Sequence, residues 1–144
     1  LHIVANYYIT IVADAAQEIY SRSDLTAKEK MRLLITSHCR GIRKYQPHVS
    51  VFYREYKNMS KEGLEFAVEK NKKFLHFTTK LIEEGVRQGD FKAGLHPKIA
   101  ALAIIGMCNW IYQWYREDGE LNIDEIADIF VRFIFNGLVV PDDG

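Results

Sequence analysis

IAALAIIGMCNWIYQWY, residues 99–115, is the stretch whose reading decides the fold. Only Gly106, Asn109 and Gln113 break its apolar run. At about 100° per residue, a helix over these positions is apolar on every side. One stripe carries Ala103, Met107, Trp110 and Trp114, and another carries Ile104, Cys108, Ile111 and Tyr115. The stretch is slightly short for a bilayer crossing, Asn109 and Gln113 sit near one end, and Arg116, Glu117 and Asp118 follow directly. The helix is therefore expected to be covered by protein. In a domain this small, part of that cover is expected to come from a second chain.

The 144 residues suffice for one domain, and 48% hydrophobic content supplies a core. Lys plus Arg and Asp plus Glu number 19 each, so the formal charge is zero. Binding DNA requires neutralising phosphates, and a neutral chain is poorly equipped for it. Cys39 and Cys108 fall on apolar helix faces, which suits free buried thiols in a reducing cytoplasm. The start, LHIVANYYITIV, lacks the basic region of a secretory signal and reads straight into helical periodicity. An amphipathic helix that begins so abruptly, without Met, is expected to be the remainder of a longer protein.

Working outward, Val4, Tyr7, Tyr8, Ile11, Val12, Ala15 and Ile19 keep helical spacing over Ile3 to Tyr20. Thr26 followed by Glu29 is a capping-box pattern opening a second helix, whose stripe holds Met31, Leu34, Ile35, His38, Ile42 and Tyr45 before Pro47 interrupts. A short helix with Val51, Phe52 and Tyr56 on one side lies between Pro47 and Met59. Ser60 caps a long helix whose inner stripe runs from Leu64 through Asn71, Phe74 and Thr78 to Ile82, with Gly89 as its terminal glycine. His96 and Pro97 open the apolar helix, expected to continue to about Arg116. Asn122 with Glu125 opens the last one, in which Glu125, Asp128, Arg132 and Asn136 make a narrow polar stripe before Gly137 and Pro141 end it. Strand alternation is absent. The expectation is all-α, about six helices, with the last two (97–138) pairing with their copies in a four-helix seam across a two-fold axis. The seam residues are expected to be Ile104, Cys108, Ile111, Tyr115, Ile126, Phe130, Phe133 and Ile134. The alternative is a monomer in which one of these helices is simply central.

The five histidines contain no i,i+3 or i,i+4 pair, and no Glu-x-x-His, Cys-x-x-Cys, phosphate loop or Gly-x-Ser-x-Gly elbow occurs. No metal, cofactor or enzymatic activity is expected, although a site assembled from scattered residues would leave no local motif. Polar groups on apolar stripes are the candidates for a ligand cavity: His38, Asn71, Thr78 and Asn109. Each is equally readable as a satisfied interior group, and Asn109 as an amide bonded across the seam. Trp110 and Trp114 read as core or as a ligand platform. Arg40, Arg43, Lys44, Arg54 and Lys57 form a basic group near Pro47, either a solvated face or an anchor for anionic groups such as the phosphates of coenzyme A.

The run GMCNWIYQWYREDGELNIDEIADIF at 106–130, with PHVSVFYREYK at 47–57 and EGVRQGDF at 84–91, resembles the C-terminal regulatory domain of TetR-family transcriptional repressors. More narrowly, it is similar to the branch that responds to fatty-acyl or steroid-derived coenzyme A thioesters. The resemblance spans nearly the whole chain. It implies a linker helix over residues 1–20, an effector-binding helical domain, and a homodimer formed through the last two helices. Operator DNA would be read by a helix-turn-helix unit that this sequence lacks, in a cytoplasmic protein without membrane contact. Effector binding would move the linker helix and alter the spacing of two DNA-reading heads. A cavity is then expected among the first, second, long and Trp-bearing helices, lined by Tyr7, Ile11, His38, Phe52, Phe74, Thr78 and Trp110. Arg40, Arg43 and Arg54 would hold anionic groups of an acyl-coenzyme A effector. Two other readings stay open. A helical interaction module would have a filled core, and an enzyme would show paired titratable groups with shifted pKa values in the cleft.

Overall fold

A computed structural model describes residues 2–141, with side chains from Tyr7 onward; Val4, expected on the first helix's stripe, lies outside the described side chains. The helices are α1 (His2–Ser21), α2 (Ala27–Lys44), α3 (Gln46–Glu55), α4 (Lys61–Gln88), α5 (Pro97–Asn109), α6 (Ile111–Trp114) and α7 (Ile123–Leu138), with a 3-10 turn at Tyr56–Asn58. Their starts are where short polar side chains can take an otherwise unpaired backbone N–H. Thr26 accepts from Glu29 N, Ser60 from Gly63 N, and His96 Nδ1 from Ile99 N. Asn122 and Glu125 form a complete reciprocal capping box.

The 28 residues of α4 make a spine about 42 Å long. α1 runs along one side of it and α5 along another, while α2 lies between α4 and α7, and α3 crosses α1 and α6. At the junction of α1, α2 and α4, Lys30 is buried. Its Nζ donates to the Tyr20 carbonyl at 2.9 Å and to both Glu84 oxygens at 3.1 Å, so the cation loses water but gains three acceptors.

The EGVRQGDF segment has a definite use. Gly89 takes φ +80°, the left-handed cap that ends α4, and the Asp90 and Phe91 N–H groups both return to the Gly85 carbonyl. The Phe91 ring then lies on Gly85, where an added Cβ would stand 2.1 Å from Cδ2. This turn pairs with the chain after α7: Lys92 N donates to Leu138 O at 2.7 Å and Val140 N to Asp90 O at 3.1 Å, in a bridge between Phe91 and Val139. So short a pairing has no alternation for a sequence pattern to register.

Two expectations are corrected. The helix expected to run unbroken from Pro97 to about Arg116 is interrupted at Trp110. Gln113 N donates to Trp110 O, tightening the chain into a three-residue step, and the Gln46 amide caps the Tyr112 and Tyr115 carbonyls at 2.9 Å each. The second correction concerns the seam. Ile104, Cys108, Ile111, Tyr115, Ile126 and Ile134 are buried in the chain's own core, packed towards α2 and α4, and leave little surface for a partner; Phe130 is half-buried. Of the expected seam residues Phe133 does face out, 71% exposed, and with it Ile99 on α5, Trp110 at the break between α5 and α6, Trp114 on α6 and Ile129 on α7. A Cβ added at Gly106 on α5 or Gly137 on α7 would meet nothing within 4 Å, which leaves room for close backbone approach.

Candidate functional site

Five helices leave a cavity of about 330 Å³ between them. α1 supplies Tyr8, Ile9 and Val12; α2, His38 and Ile42; α3, His48, Val49, Phe52 and Tyr53. α4 and α5 complete it with Phe74, Leu75, Ile105 and Asn109. Its floor is buried, and the exposed lining residues, His48, Tyr53, Val68, Asn71, Lys72 and Leu102, mark a mouth between α3, α4 and α5. A space of that size falls at the lower end of the range of small-molecule pockets.

Its buried polar groups are few. His38 Nε2 lies 2.7 Å from Asn109 Oδ1. An amide oxygen only accepts, so Nε2 carries the proton and donates, which leaves Nδ1 a bare lone pair. The imidazole stacks on Phe74 with ring centroids 5.0 Å apart. Burial pulls its pKa down to about 4, partly opposed by the bond to Asn109, so it is neutral at physiological pH. Tyr8 packs its ring 5.4 Å from that of Tyr45, and burial, aided by Tyr53 and the two cysteines, lifts its phenol well above the usual range. Neither Tyr8 Oη nor His38 Nδ1 has a hydrogen-bond partner. Both shifts keep a group uncharged; they suit hydrogen bonding to a ligand and do not prime proton transfer. Cys39 and Cys108 are free and buried, and the contact with Cys39, then burial, raises the Cys108 thiol. Among the described residues no cluster of His, Cys, Asp or Glu could hold a metal ion, and no helix is long and apolar enough to cross a membrane.

Of the expected lining residues, His38, Phe52 and Phe74 are brought together in this cavity. Tyr7 and Ile11 are not, since they point outward from α1 while their neighbours Tyr8 and Val12 point in. Thr78 is fully buried, its hydroxyl spent on the Phe74 carbonyl beside a separate void of about 10 Å³. Trp110 lies on the outer face, 60% exposed. The arginines are elsewhere as well. Arg40 pairs with Asp124 at 2.8 Å and Arg43 with Glu117 at 3.0 Å, which draws both towards α7 and the turn before it; Arg54 is exposed and does not line the cavity. The cations that border the cavity are Lys70 and Lys72. Sequence reasoning passed over Tyr8 and the lysines as lining groups: Tyr8 sits in a run of apolar-compatible residues, and the lysines read as solvated surface.

Residues 24–138 match the tetracyclin repressor-like, C-terminal domain family. The chain belongs to it. Among curated relatives, this TetR-type domain is 23% identical over 121 residues to the HTH-type transcriptional repressor KstR2 of Rhodococcus jostii strain RHA1, covering 83% of this chain and 59% of that protein. It thus spans about three fifths of the relative's length. Among solved structures, it superposes with a TM-score of 0.84 on the ketosteroid transcriptional regulator KstR2 of Mycobacterium tuberculosis, at 15% identity over 93% of this chain and 68% of that one. With AibR in complex with isovaleryl coenzyme A and operator DNA the TM-score is 0.79, at 22% identity over 94% and 73%. At these identities the superpositions establish the fold. The relatives are transcriptional regulators.

Proposed function

We propose that this domain is the effector-sensing and dimerising part of a cytoplasmic TetR-family repressor, and that its effector is a hydrophobic molecule carried as a coenzyme A thioester. The observation that carries the reading is the 330 Å³ cavity with α1 as one wall. A filled-core interaction module has no use for such a void. The apolar part of the effector occupies it, and Lys70 and Lys72 at its border receive the anionic coenzyme A portion in place of the expected arginines. The isovaleryl coenzyme A bound by AibR supports that chemistry without identifying this effector.

A ligand biases a conformational equilibrium only through its difference in affinity for the two states. Tyr8, Ile9 and Val12 give it a direct purchase on α1, the helix expected to lead to the DNA-reading unit, while Lys30 ties the other end of α1 to α2 and α4. The dimer forms through the outward stripe of Trp110, Trp114, Ile129 and Phe133. Calorimetric titration with octanoyl-coenzyme A, coenzyme A and octanoate tests the reading. The thioester binds at least tenfold tighter than either fragment, and Lys70→Gln combined with Lys72→Gln weakens it about fivefold. Equal binding of thioester and free coenzyme A refutes it.

A further inference from the structure

Two of the residues that line the cavity carry buried polar atoms that are unsatisfied. Tyr8 Oη and His38 Nδ1 are buried and without partners, on residues that line the same space from α1 and α2. Native interiors rarely leave such groups unpaired, and each one that persists calls for an explanation, at a functional site one in terms of function. Their chemistry is also unequal. With Nε2–H committed to the Asn109 oxygen, Nδ1 can only accept, whereas the Tyr8 hydroxyl has a proton to give.

We infer that the cavity takes a hydroxylated ligand with a compact apolar body, whose entry shifts the side chains around the two buried atoms so that its hydroxyl donates to His38 Nδ1 and accepts from Tyr8. This rests on the effector-sensing reading and narrows it, for an unsubstituted hydrocarbon leaves both atoms unpaired, and a ketone accepts from Tyr8 but meets His38 Nδ1 lone pair to lone pair. Asn109 is a positioning residue that sets which proton the imidazole carries. The ligand thereby joins α1 to α2 through two hydrogen bonds, so that its departure alters how α1 is held.

Three probes of matched shape test this by isothermal titration of the intact domain: tetralin, 1-tetralol and 1-tetralone. The alcohol is expected to bind at least tenfold tighter than the ketone. Tyr8→Phe weakens the alcohol about tenfold and leaves tetralin unchanged. His38→Phe abolishes the alcohol-over-ketone preference, and Asn109→Leu, at a half-buried position, abolishes it too by freeing the other tautomer; it supplies the answer should His38→Phe not fold. Equal binding of all three probes to the parent protein overturns the inference and leaves effector sensing standing, as does a preference that survives in His38→Phe and Asn109→Leu. Failure of every probe to bind, in a protein that binds octanoyl-coenzyme A, overturns the inference and leaves effector sensing standing.

Discussion

Deleting the Tyr8 hydroxyl should make the ligand-free protein more stable, although it removes a polar atom from a binding cavity. In most interiors Tyr→Phe breaks a hydrogen bond and costs stability. Here Tyr8 Oη is buried with no partner, so folding strips it of water and returns nothing. An unsatisfied buried hydroxyl costs about 1–3 kcal/mol, and Tyr8→Phe recovers much of it while keeping the ring against Tyr45. At about 2.1 cal/mol/K per residue, the unfolding entropy of a 144-residue chain is about 0.3 kcal/mol/K, so a gain of about 1–2 kcal/mol raises Tm by roughly 3–7 °C. Scanning calorimetry would measure it, at one fixed protein concentration because association also shifts Tm. The protein should be refolded from denaturant to shed any ligand acquired in the cell. A Tm that rises by less than about 1 °C, or falls, shows that the hydroxyl has a partner in solution and refutes the reasoning.

His38 makes stability depend on pH. Its imidazole takes a proton at about 4 when folded against 6.5 in the free side chain, so between these values the unfolded chain binds more protons and stability falls as pH falls, by about 3 kcal/mol in all. Urea unfolding at pH 7, 6, 5 and 4.5 should show that slope in the parent and its loss in His38→Phe; parallel curves would contradict it. Gly85→Ala drives a methyl into the Phe91 ring and should cost about 2 kcal/mol or more, read as a lower urea midpoint with an unchanged slope. Phe133→Asp, at a 71% exposed position, should leave helicity and melting of the single chain intact while raising the dissociation constant of the proposed dimer at least a hundredfold in sedimentation, because each of two copies would lose an aromatic ring that the proposed interface buries. An unchanged constant would remove that stripe from the interface.

Much of this protein was readable from residue order. Helix limits at Thr26, Ser60, Gly89 and Asn122 were legible because a cap is satisfied within three or four residues of itself. The absence of regular strands among the described residues and the placement of His38, Phe52 and Phe74 on inward faces followed from periodicity. The three-dimensional packing alone decided direction. The apolar helix has two greasy stripes, and only contact with α2 and α4 turns Ile104 and Cys108 inward and Trp110 outward. Tyr7 and Tyr8 are one residue and about 100° apart, yet one faces solvent and the other the cavity. Arg40 finds Asp124 across 84 residues, which no local pattern encodes. Periodicity measures how much of a helix is apolar; which side is covered, and by what, depends on partners that the chain brings near only once it has folded.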